Sequence, residues 1–230
     1  VNESYIHSII DELRNTPSAA NHAVAVIRTL FRFALKRRIV SKDPTTGAGR
    51  LKGGDGYARW PDAAIATFLA SASPAMRLAL YLGLYTGQRL SDVIAMRWEA
   101  YDGKRIKLRQ QKTGTPLVIP VHPDLRALLD PIRREAGPVL TSKTGLPFHS
   151  RVFSRDFRDA RIAAGLPEGL SFHGLRHTAA SRLAEVGATA PEIQAITGHK
   201  SLKLVEHYIR QADQELQAER AISRIPTREK

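Results

Sequence analysis

The chain has 230 residues, with 35 Lys+Arg against 22 Asp+Glu and a formal net charge of +13. This length holds one or two domains, and a hydrophobic content of 43% excludes wholesale disorder. The lack of cysteine removes disulfides, thiolate catalysis and Cys-ligated metal sites, and no apolar stretch approaches the ~20 residues of a membrane span. The positive excess points to a polyanion, with nucleic acid ahead of an acidic membrane surface. It is spread along the chain, and only Lys36-Arg37-Arg38 forms a tight cluster. The cysteine-free composition suits a reducing cytoplasm. The opening at Val1, without a signal peptide, reads as a fragment of a longer chain.

Two helices are expected first, over 4–15 and 18–39. In the second, Val24, Ile27, Leu30, Phe31, Ala34 and Leu35 recur at three- and four-residue steps and define one apolar face. Arg28, Arg32 and Lys36 fall on the other face, and Ser18 reads as the N-cap. Two such helices cannot close a core alone, so the apolar face should dock elsewhere or associate with a second copy. Residues 41–56 contain five glycines, one proline and few apolar side chains, the composition of a linker. The organisation expected is therefore a truncated helical unit over 1–45, a linker over 46–56, a main domain over 57–215 and a tail over 216–230.

Pro61 and Pro74 mark helix starts, and the apolar helix after Pro74 should run to Thr86 and stop at Gly87. Over 104–121 the period changes to two: Ile106 and Leu108 alternate with polar neighbours, as do Leu117, Ile119 and Val121. That pattern is a β-hairpin with Lys112-Thr113-Gly114-Thr115 at its turn. Helices follow at 123–136, 150–164 and 174–186, the last stopping at Gly187. Thr189-x-x-Glu192 is a capping box for the next helix, and Ser201 should cap the one carrying Tyr208. The fold class is mainly α with one small antiparallel β-sheet (α+β).

Four segments carry residues suited to chemistry. They are Thr86-Gly87-Gln88-Arg89, Gln111-Lys112-Thr113-Gly114, His173-Gly174-Leu175-Arg176-His177, and Gly198-His199-Lys200-Ser201 followed by Glu206-His207-Tyr208. Each has an ordinary structural reading when taken singly: a helix-ending arginine, a solvated turn lysine, a core tyrosine. Zinc binding by His173 and His177 lacks the glutamate after the first histidine, because Gly174 stands there. A serine hydrolase lacks its G-x-S-x-G.

Taken together, the order and spacing resemble the tyrosine recombinases, the phage integrase family. The likeness covers about 57–215, and 18–45 also resembles the last helix of that family's DNA-clamping domain. It implies the following chemistry. Arg89 and Arg176 fork onto the non-bridging oxygens of a phosphorane, and His199 donates to the same oxygens. Tyr208 is the nucleophile and becomes joined to a 3′-phosphate. His173 takes its proton, and Lys112 protonates the departing 5′-oxygen. Asp92, three residues after Arg89, orients that arginine. Bond energy is conserved through a Holliday junction, so neither metal nor other cofactor is implied. The implied partners are double-stranded DNA at a recombination site, three further copies in a tetramer, and accessory DNA-bending proteins. Residues 209–225 resemble the C-terminal segment exchanged between copies, and His207 should point to another helix face. His177 is left outside the catalytic set.

The resemblance implies prophage or genomic-island integration and excision. Chromosome-dimer resolution is the alternative within the class. Outside it stand an inactive DNA-binding protein and a relaxing enzyme like type IB topoisomerase.

Overall fold

The computed structural model describes residues 2–53, 56–211, 218 and 221–224. Two compact units divide between Gly56 and Tyr57. Among the described residues no helix is long and apolar enough to cross a membrane.

The first unit holds α1 (Glu3–Glu12) and α2 (Pro17–Lys36). Asn2 caps α1 by accepting from the Tyr5 backbone N–H at 3.0 Å. Helix α2 starts earlier than the sequence implies: Pro17 takes the first turn behind Thr16, so Ser18 lies inside the helix and is not its cap. Ile6, Ile10 and Val24 form a small buried cluster, with Ile27, Ala48 and Leu51 packed against it. Part of the expected linker therefore folds onto α2. The Asn21 side-chain amide exchanges two 2.9 Å hydrogen bonds with the backbone of Leu51. Arg28 leaves the solvated face assigned to it and donates to the Thr45 hydroxyl and to the carbonyls of Thr45 and Ala48. Covering is partial, because Leu30 and Phe33 remain 62% and 54% exposed.

The second unit runs through α3 (Asp62–Ser71), α4 (Pro74–Thr86), α5 (Leu90–Ile94), β1 (Arg105–Arg109), β2 (Pro116–Pro120), α6 (Pro123–Leu129), α7 (Ser150–Ala163), α8 (Phe172–Glu185), α9 (Ala190–Thr197) and α10 (Leu202–Gln211). The class is the one expected, helices around a two-stranded antiparallel sheet. Its register pairs Ile106 with Ile119 and Leu108 with Leu117. Ile106, Leu117 and Ile119 are buried while Val118 faces out, the alternation that a sheet covered on one face requires. The expected helix over 123–136 is shorter. Pro131 stands in a 3₁₀ turn over Asp130–Ile132, where its missing N–H cannot continue an α-helical ladder. The five-residue α5 was too short to show a period.

The core is aromatic. Trp60, Phe68, Phe153, Phe157 and Phe172 are buried together, with edge-on contacts such as Trp60–Phe68 at 5.5 Å and Phe153–Phe172 at 5.2 Å between ring centroids. This core fixes α8. A Cβ at Gly83 of α4 would come within 3.0 Å of Leu175 and Phe172, so the glycine admits α8 at close range. At Gly174 a Cβ would meet the Ala58 carbonyl at 2.3 Å. Trp60 adds two bonds, from its backbone N–H to the Thr178 hydroxyl and from its indole N–H to the Ser171 carbonyl. The face of α8 that carries His173 and Arg176 is thus set by packing on both flanks.

Candidate anion pocket at the Arg176 face of α8

Two helix ends meet one guanidinium. Helix α4 ends at Gly87 and α9 at Gly198, both left-handed at φ 60° and 68°. Glycine takes that conformation without the side-chain clash that other residues meet. Arg176, 3% exposed, donates its Nη1 to the carbonyls of Gly87 at 2.7 Å and Thr197 at 2.6 Å. Both belong to C-terminal turns, where carbonyls lack helical partners and the dipole is negative. Its Nε donates to His199 Nε2 at 3.2 Å. Its Nη2 is buried and has no hydrogen-bond partner among the described residues. A buried guanidinium nitrogen aimed at nothing is an unmet demand for an acceptor. Burial and the charge of Arg89 lower the Arg176 pKa to about 10.

Arg89 follows the α4 corner directly. Its Nη1 donates to Gln110 Oε1 at 3.1 Å and lies 3.9 Å from Asp92 Oδ2. Asp92 is buried, and its other oxygen accepts the backbone N–H of Gln111 at 2.8 Å. The carboxylate expected beside Arg89 is there, and it also anchors the hairpin turn. Lys112 is exposed on that turn. Two arginines facing a single carboxylate leave the pocket positive, which favours an anion.

His199 is buried and neutral: desolvation, then the charges of Arg176 and Arg89, push its pKa down to about 3. Its tautomer follows from its neighbours. The Thr197 hydroxyl donates to the Ile193 carbonyl at 2.6 Å and lies 2.7 Å from His199 Nδ1. Nδ1 must then carry the proton, and Nε2 accepts from Arg176. In this state Nε2 is an acceptor, not the donor expected of it. His173 lies half-buried against the Tyr57 ring, with centroids 4.3 Å apart. Burial and the charges of Arg176, Arg89 and Lys112 lower its pKa.

Tyr208 sits on α10 in a small cluster with Ala180, Ala184, Ile193 and Val205. Its ring meets His177 edge-on at 4.8 Å and His199 at 6.0 Å in the same chain. Burial raises its pKa, and the Arg176 charge opposes that rise. The structure therefore brings Arg89, Asp92, Arg176, His199 and Tyr208 to one pocket. His173 and Lys112 lie at its rim, within the reach of its charges. The side chain of His207 and most of 209–225 lie outside the described residues.

Three side chains of the pocket were not singled out from sequence. Gln110 is wholly buried and contacts Arg89. Thr197 fixes the His199 ring. His177, set aside from sequence, packs on Tyr208. Their partners lie between 2 and 87 residues away, and no local signal distinguishes a Gln near a turn that is buried from one that is solvated.

Comparison with known proteins bears on this pocket. The integrase of Escherichia phage lambda is 34% identical over 152 residues, covering 60% of this chain and 42% of that protein. Tyrosine recombinase XerC of Rickettsia typhi is 37% identical over 84 residues, 36% of this chain and 28% of that one. Among solved structures, a lambda integrase tetramer bound to a Holliday junction superimposes with a TM-score of 0.75 at 25% identity, covering 87% of this chain and 65% of that chain. The chain spans less than half the length of the phage relative. The model of the phage integrase family matches residues 63–215, from the start of α3 past Tyr208. Since that match takes in every side chain of the pocket, the chain belongs to the phage integrase family.

Proposed function

We propose that this chain carries the strand-transfer centre of a site-specific DNA recombinase. The observation that carries the reading is the buried, unpartnered Nη2 of Arg176, in a pocket that also holds Arg89 and the chain's own Tyr208. A scissile phosphate supplies the missing acceptor. Its non-bridging oxygens gain charge as the tyrosine oxygen attacks, and preorganised guanidiniums stabilise that charge most in the transition state.

His173 takes the Tyr208 proton as the new O–P bond forms. The P–O5′ bond breaks, and Lys112 gives a proton to the leaving oxygen. The product is a 3′-phosphotyrosine and a free 5′-hydroxyl. Attack by a second 5′-hydroxyl reverses each transfer. His199 assists a non-bridging oxygen once its proton sits on Nε2. This change requires the Thr197 hydroxyl to turn from the Ile193 carbonyl and donate to the bare Nδ1, and the Arg176 Nε–H to leave Nε2 for the phosphate.

The relatives support double-stranded DNA as substrate, a tetramer as the working assembly and phage-type integration or excision as the role. Accessory DNA-bending proteins and action at the bacterial nucleoid belong to the same reading. The test is a suicide substrate that loses its 5′-hydroxyl strand after cleavage. A covalent protein–DNA band is expected, and its absence across candidate attachment sites would sink the reading. Exchange between two sites distinguishes recombination from simple relaxation.

A further inference from the structure

We infer that Gln110 is a positioning residue that locks Arg89 and the Lys112 turn into one unit. The inference deepens the strand-transfer reading and rests on it for the tasks of Arg89 and Lys112. Gln110 directly follows β1 and is fully buried. Its amide makes four bonds. Oε1 accepts from Arg89 Nη1 at 3.1 Å and from the Thr113 hydroxyl at 2.7 Å. Nε2 donates to Gln88 Oε1 at 2.6 Å and to the Thr197 carbonyl at 2.9 Å. Arginine only donates and a carbonyl only accepts, so the orientation of the amide is fixed by its partners. It saturates its hydrogen-bonding capacity while joining the α4–α5 corner, the hairpin turn and the end of α9.

Two further features keep it there. A Cβ at Gly198 would lie 2.5 Å from Nε2, so the backbone after α9 presses on the amide. The backbone of Gln110 also closes the turn, donating to the Thr115 carbonyl at 2.9 Å and accepting from Gly114 N–H at 2.8 Å. Lys112 lies two residues on. The next backbone N–H, that of Gln111, is held by Asp92, which is itself 3.9 Å from Arg89. The turn is therefore tied to Arg89 twice, through Gln110 and through Asp92. Displacement of one moves the other.

The test compares Gln110→Met, which keeps the volume and removes the amide, with Lys112→Ala and Arg89→Ala on three suicide substrates. One has an ordinary phosphate. The second has a 5′-bridging phosphorothiolate, whose thiolate leaves without a proton. The third has a methylphosphonate, which lacks one charged oxygen. Misplacement of both groups is expected to cost Gln110→Met about 100-fold in adduct formation on the ordinary phosphate. The phosphorothiolate should recover part of that loss, as for Lys112→Ala, and the methylphosphonate another part, as for Arg89→Ala. Thr113→Val, which cuts the turn-side bonds of Thr113 to Gln110 and Thr115 and leaves the Gln110–Arg89 bond, should show the phosphorothiolate recovery alone. An equal loss on all three substrates would make Gln110 merely structural and overturn the inference, as would no loss. Amide exchange gives a readout free of activity: 111–115 should exchange faster in Gln110→Met while 79–84 do not change. If the wild-type protein forms no adduct on any substrate, the strand-transfer reading fails, and exchange alone then decides whether Gln110 holds the turn. Unchanged exchange at 111–115 overturns it.

Discussion

The Arg176 pocket and the Lys112 turn supply opposite ends of the proposed reaction, and they are built in opposite ways. The pocket is enclosed: Arg176, His199 and Tyr208 are each less than 9% exposed and are held by α4, α8, α9 and α10. The turn is open, with Gln111, Lys112 and Gly114 all exposed and only buried anchors at its base. Burial gives the pocket a low dielectric, where each charge counts for more, and it makes every substitution there costly. The contrast shows how one unit can combine an enclosed, charged pocket with an exposed lysine on a turn whose base is anchored to that pocket.

Tyr208→Phe is the sharpest way to isolate the pocket. The ring and its packing with Val205 and His177 stay while the nucleophile goes, so DNA binding should persist and the covalent band on a denaturing gel should vanish. An undiminished band would remove Tyr208 from the reaction. Next in size is Arg176→Lys. An ammonium cannot reproduce three directed bonds and the free Nη2, so adduct formation should fall by about 10²–10³-fold. A loss below tenfold in single-turnover kinetics would show that a point charge suffices.

Lys112→Ala probes the turn. Cleavage of ordinary DNA should slow by about 10²-fold or more, and a 5′-bridging phosphorothiolate should restore it. Equal slowing on both substrates would leave Lys112 a phosphate contact.

A pair of glycines then compares the two regions at matched backbone geometry. Gly114 in the turn and Gly198 in the pocket both have φ 68°. Alanine at Gly114 meets nothing within 4 Å and should cost only the left-handed strain, about 1 kcal/mol. Alanine at Gly198 meets the Gln110 amide at 2.5 Å and must displace a group held by four bonds, so about 2–4 kcal/mol is expected. Urea unfolding of the two variants measures the difference, and equal costs would mean that the pocket yields as easily as the turn.

A separate effect concerns acid stability. The folded pKa of His199, about 3, lies below its ordinary 6.5, so the unfolded chain takes up that proton first. The corresponding stability is complete above about pH 6.5 and is lost as pH falls toward 3. His173 contributes with the same sign. His199→Gln should flatten the dependence of unfolding free energy on pH in that window. A slope equal to wild type would show that His199 is not held neutral.

Much of this arrangement is legible in the residues. The stop of α4 at Gly87, the Thr189–Glu192 capping box and the hairpin follow from local chemistry and stand as expected. His173 and Arg176 share a face of α8 because three residues make nearly one turn. The helical unit before Gly56 was read less well. The composition of 41–56 signals a linker, yet Thr45 is fully buried and bonded to Arg28, 17 residues earlier. Glycine and proline report backbone freedom, and they do not report whether a segment finds a surface on which to lie.

The sequence by itself pointed to Arg89, Asp92, Arg176, His199 and Tyr208, which the structure brings to one pocket, because their types and spacings stand out at helix ends and turns. Tertiary structure alone decided how those residues are held. Gly87 and Thr197 are 110 positions apart in chain order yet offer their carbonyls to the same guanidinium, and Gln110 is placed between Arg89 and Thr197 by neither's neighbours. The tautomer of His199 and the empty side of Arg176 have the same origin. Hydrogen bonds are made through space, and their partners exist only once the apolar core has brought α4, α8 and α9 together.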